Sequence, residues 1–135
     1  MRRIVTFVAV IAMTLGMIAA PAAADGEFTF TDSETFEDVN PCSGETISIT
    51  INFLVQVHEH PDDVFVRVRR TGTTSDGFIM AHGFETFSAV DGVAQGQFDD
   101  PWNNPETGDK FVAQGRFLEV DGDVVFDEFR LVCLT

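Results

Sequence analysis

The stretch Val57-His58-Glu59-His60-Pro61-Asp62-Asp63 sets two imidazoles two residues apart with three carboxylates beside them. Imidazole nitrogen and carboxylate oxygen are ligands for divalent transition metals, and two His on one strand face at this spacing can chelate. The third histidine, His82, stands three residues before Glu85. A divalent metal would draw on His58, His60, His82 and Asp63, and would support a metal-dependent or barrel-lumen enzyme. The competing reading is a solvated hairpin tip, in which His58 pairs with Asp63 and His60 faces water. No other cofactor is expected.

A second oxygen-rich stretch runs from Asp99 to Asp109 and includes Pro101, Pro105 and Gly108. Its spacing does not fit the EF-hand pattern for Ca²⁺, and its composition describes an exposed loop. Trp102, the only Trp, would sit in that loop as a lid over the core or as a ligand-binding contact, with packing the better fit. Gly-x-Ser-x-Gly, a phosphate-cradling glycine loop and Tyr are all missing from the sequence. Paired carboxylates fall mostly in turns, where an ordinary solvated pKa is expected, so no catalytic residue is assigned.

The elements that must carry these residues are strands. From Ile47 the chain alternates, with Ile47, Ile49, Ile51, Phe53, Val55 and Val57 on one face and polar residues mostly on the other. After the turn residues Pro61-Asp62-Asp63 the alternation resumes at Val64, Val66 and Val68. Pairing Val57 with Val64 keeps the apolar positions together, leaves Glu59 to Asp62 as a four-residue loop and sets His58 opposite Asp63. Glu27 to Glu37, Phe78 to Phe87 and Val93 to Phe98 read as shorter strands. Lys110 to Val120 and Val124 to Leu134 flank Asp121-Gly122-Asp123, a tight-hairpin signal, with Arg116 opposite Asp127 or Glu128. The expectation is an all-β domain, a small antiparallel β-barrel or β-sandwich of seven or eight strands. No internal repeat is legible.

The compartment is set by residues 1–24. Arg2 and Arg3 precede the apolar run Ile4 to Ala20, and Pro21-Ala22-Ala23-Ala24 supplies a cleavage site, so a signal peptide removed before Asp25 is expected. The protein should then be secreted, with no stable membrane insertion, and residues 25–135 should form one domain. Cys42 and Cys133, the only cysteines, are expected to form a disulfide in an oxidising space. Removing Arg2 and Arg3 from the eight basic residues leaves six against twenty-two acidic ones, a net charge of −16. So acidic a surface disfavours nucleic acid and anionic lipid, suits solubility and fits a monomer.

Asn40-Pro41-Cys42-Ser43-Gly44-Glu45, the His-bearing strand and the closing Arg130-Leu131-Val132-Cys133 together resemble a group of uncharacterised secreted bacterial proteins, most of them actinobacterial. The resemblance covers the two ends of the chain and implies export and a β fold without an activity. Cupins and lipocalins fit less well. A cupin would carry Glu where Val64 or Phe65 stands, and the Gly-x-Trp of a lipocalin-like carrier is missing near Asp25. The leading expectation is a secreted, non-catalytic β domain that binds a small ligand, cation or surface partner. A metal-dependent or lumen enzyme and a lipocalin-like carrier of an apolar ligand stand as alternatives.

Overall fold

The computed structural model describes residues 26–134, so the expected signal peptide lies outside the described residues. These residues form seven antiparallel strands: β1 (Gly26–Val39), β2 (Thr46–Glu59), β3 (Asp63–Thr74), β4 (Ile79–Val90), β5 (Val93–Asn103), β6 (Lys110–Val120) and β7 (Asp123–Leu134). Each pairs with the next in chain order, and the single sheet curls into a half-barrel. No helix among the described residues is long and apolar enough to cross a membrane.

The strands follow from alternation. On β2 every second residue from Ile47 to Val57 turns into the concave side, all buried except half-buried Phe53. The β2–β3 hairpin keeps that face but not the expected register. Val57 pairs with Val66 and Val55 with Val68, two residues along from the pairing expected of the sequence, and His58 stands opposite Phe65 rather than Asp63. A shift of two preserves which side chains face inward, so hydrophobicity does not distinguish the two registers. The shorter loop is closed by the His60 N–H donating to the Asp63 carbonyl at 2.8 Å.

Two local departures from regular strand geometry shape the interior. Between Arg70 and Gly72 the β3–β4 register slips by one, leaving Ala81 and His82 together opposite Thr71. This bulge moves the inward parity of β4 from Met80 to Gly83, Glu85 and Phe87. Inward glycines then let the sheet curl around large neighbours. A Cβ on Gly72 would stand 2.5 Å from the Trp102 ring, one on Gly83 2.9 Å from the Asp100 carboxylate, and one on Gly115 would run into the Phe98 ring.

One end of the half-barrel is capped by three turns. Asn40 and Asn104 begin two hexapeptides of the same design, Asn40-Pro41-Cys42-Ser43-Gly44-Glu45 and Asn104-Pro105-Glu106-Thr107-Gly108-Asp109. In each, the Asn Oδ1 accepts backbone N–H bonds from the residues two and three ahead, and the glycine lies at φ near +80°. This is a short internal repeat, contrary to the expectation of none. Both Asn side chains then donate to Asp76 of the β3–β4 turn, Asn40 Nδ2 to Oδ2 at 2.6 Å and Asn104 Nδ2 to the carbonyl at 3.1 Å. The expected Cys42–Cys133 disulfide lies at this end, joining the β1–β2 turn to the end of β7. At the other end the β4–β5 and β6–β7 turns are Asp-Gly pairs with positive φ at both residues, the conformation that matches strand twist in a two-residue hairpin.

Candidate functional site

The interior is two apolar clusters separated by charge. Val55, Val57, Val66, Val68, Phe87 and Phe117 fill the end with the Asp-Gly turns, and Ile47, Ile49, Phe78, Met80, Trp102 and Phe111 are among those filling the capped end. Between them lie Arg70 of β3, Glu85 of β4 and Asp100 of β5, their side chains 1 to 3% exposed. Arg70 Nε donates to Asp100 Oδ2 at 2.7 Å, Nη2 to Asp100 Oδ1 at 3.2 Å and Nη1 to Glu85 Oε2 at 2.9 Å. Its guanidinium carbon lies 4.3 Å from the centroid of the Phe98 ring, which itself rests over Gly115. Three consecutive strands are thereby clamped at mid-height.

Two carboxylates share one cation here, and this sets the electrostatics. Burial raises the Glu85 pKa, and the Arg70 charge and hydrogen bond only partly offset it. Asp100 is raised for the same reason, against its paired hydrogen bonds from Arg70. Burial opposes the charge on Arg70, but its bonds to Asp100 and Glu85 outweigh that and hold its pKa above the ordinary value. Among the described residues Glu85 Oε1 has no hydrogen-bond partner, which fits a carboxyl that carries a proton more readily than a surface one. The three side chains are buried, so their charges act chiefly on one another and tie the strands together.

Of the residues that suggested chemistry in the sequence, His58, His60 and Asp63 gather at the β2–β3 hairpin, and His82 stands far from them. His58 lies at the open end on the outer face, 6.2 Å from the Phe65 ring and with Nδ1 3.8 Å from Glu27 Oε2. His60 is exposed in the β2–β3 turn, and Asp63 begins β3. His82 occupies the bulge of β4, exposed on the outer side. The His58 row runs through Phe65 to Ser88, six residues along β4 from His82, about 20 Å at strand rise. Among the described residues no group of three or more His, Cys, Asp or Glu is arranged to hold a metal ion. Trp102 lies near the end of β5 and not in a loop; it is 2% exposed and stacked on Phe111 at 5.5 Å, so it packs the core. Arg116 pairs with Glu128, the second of the two partners the hairpin allowed, its Nε 2.6 Å from Oε2.

What stays open is the seam. As first and seventh strands of an antiparallel meander, β1 and β7 run in the same direction, and among the described residues no ladder joins them. Near the cap the seam is narrowed by the disulfide and by Phe36 of β1 meeting Phe129 of β7, ring centroids 6.4 Å apart. Away from the cap it is unguarded. Thr31, Asp32 and Ser33 of β1 are exposed on both faces, as are Asp123 to Phe126 of β7. Beside the seam, a groove of about 630 Å³ runs over three neighbouring strands, lined by residues 31–33 of β1, 52–54 of β2 and 69–71 of β3, and no β7 residue lines it. No protein-family model matches the chain, no curated protein matches it, and no solved structure matches it.

Proposed function

We propose that the chain is a secreted, non-catalytic binding domain that works through the unpaired strand edges of its seam. The observation that carries this reading is the strand count. A meander of seven antiparallel strands cannot close on itself without a parallel pair, whereas one further strand between β1 and β7 would run antiparallel to both. Long unpaired edges are templates for strand addition, a recognised mode of peptide capture. The burial of the Arg70, Glu85 and Asp100 side chains favours binding over catalysis. Export is supported by the Cys42–Cys133 disulfide, by the apolar run at residues 4–20 and by the resemblance of both chain ends to secreted bacterial proteins.

The test is a selection with an unbiased display library of short extended peptides of both charge signs, with amide hydrogen exchange then measured on the complexes. Binders that slow exchange in β1 or β7 support the reading. Repeated selections that yield no binder, or binders that protect only the capped end, overturn it.

A further inference from the structure

The two edges of the seam are not equivalent. β7 carries a bulge at Val125, where its register against β6 slips between Leu118 and Glu119, and this residue is 58% exposed. Bulges turn an edge away from further pairing. β1 has no such device. Its fourteen residues pair with β2 in one unbroken register from Gly26↔Glu59 to Val39↔Thr46, and it contains no proline. It is rich in Thr and Phe, which suit a pleated strand.

What distinguishes β1 is charge. Glu27, Asp32, Glu34, Glu37 and Asp38 lie on it, and β1 and β2 together hold no Lys or Arg. Glu34 has its pKa raised, first by partial burial and then by the neighbouring Asp32 charge. A second copy is a poor occupant, because β1 against β1 would oppose five carboxylates to five on chains that already carry net charge −14 before any cleavage. Resting on the seam reading of the proposed function, we infer that the β1 edge accepts an extended, lysine- or arginine-bearing strand of another protein, running antiparallel to β1. The backbone ladder supplies affinity and the carboxylates select the sign of the partner.

The experiment uses three capped peptides of about eight residues, a strand's length, alternating Thr and Val with Lys, Gln or Glu at the same positions. Binding is monitored by amide chemical-shift changes and hydrogen exchange on the disulfide-intact protein. The Lys peptide should protect β1 amides, bind at least about tenfold more tightly than the Gln peptide, and weaken as salt rises from about 20 to 200 mM. The triple variant Glu27→Gln, Asp32→Asn, Glu34→Gln should remove most of that preference. Equal binding of the Gln peptide overturns the charge inference and leaves the seam reading standing. Binding of none of the three removes both. Lys-peptide shifts scattered over the surface and unchanged in the triple variant mean non-specific attraction and overturn the inference, as does dimerisation through β1 in sedimentation.

Discussion

Replacing Arg70 by Met tests the account of the interior most directly. The side chain is of similar length and apolar, so the change removes three hydrogen bonds and one charge while leaving the volume nearly filled. Glu85 and Asp100 would then be two buried carboxylates with no cation. Breaking a buried pair in this way costs about 3 to 5 kcal/mol, a large part of the 5 to 15 kcal/mol typical of a domain. The chain can limit the loss by protonating. Holding a carboxyl of ordinary pKa 4.5 in its neutral form costs roughly 3.4 kcal/mol at pH 7 but only about 0.7 at pH 5, at 1.36 kcal/mol per unit. The penalty of Arg70→Met should therefore shrink by about 2 to 3 kcal/mol between those pH values. Equilibrium urea unfolding with the disulfide intact measures both numbers. A loss under about 1 kcal/mol at pH 7, or a loss as large at pH 5 as at pH 7, means that Arg70 does not neutralise two buried carboxylates. Adding Glu85→Gln and Asp100→Asn to Arg70→Met should recover at least half of the pH 7 loss, because no buried charge is then left.

Four further outcomes are expected of the same structure. Glu85, Asp100, Glu34, Glu119 and Asp127 all have pKa values raised first by burial, so the folded state holds their protons more readily than the unfolded one. Their contribution is full below the ordinary carboxylate range and is lost as pH rises through the raised values, so the melting temperature should be higher near pH 5 than near pH 7.5; calorimetry across that range checks it, and Glu85→Gln should flatten the slope. Cys42→Ser with Cys133→Ser opens a loop spanning 91 residues, and the urea midpoint should report a loss of about 4 to 5 kcal/mol. Asp76→Ala leaves the buried Asn40 amide without its partner, and chemical denaturation should show a loss of about 1 to 3 kcal/mol. Gly72→Ala sets a methyl against the Trp102 ring and the Thr50 carbonyl, so Trp fluorescence should shift and stability should fall by about 1 to 3 kcal/mol.

The seven strands were legible because their signals are local. Alternation over Ile47 to Val57, the Asp121-Gly122 turn and the two cysteines each carry their meaning within a short stretch or a count. The hairpin register was not legible, since a slip of two preserves every inward face. His82 was ambiguous in sequence because it sits in the bulge where β4 changes parity. The charge cluster did leave a trace. Val64, Val66, Val68 and Arg70 share one parity, as do Phe98, Asp100 and Trp102, so an arginine and an aspartate stood at inward positions. The bulge hid the third member, Glu85, and turn-rich composition made the carboxylates elsewhere more conspicuous.

Composition and spacing alone determined that this is an acidic, disulfide-linked, antiparallel β chain with an apolar face on each long strand, because period-two alternation and turn chemistry act between near neighbours. It took the tertiary structure to set His82 apart from His58 and His60, to pack Trp102 in the core, and to divide the interior with an Arg70–Glu85–Asp100 clamp. Those outcomes depend on which strands become neighbours and on how far the sheet curls. The seam has the same origin: strand number is written in the chain, but which edges stay unpaired among the described residues depends on how the seven strands order themselves in the sheet.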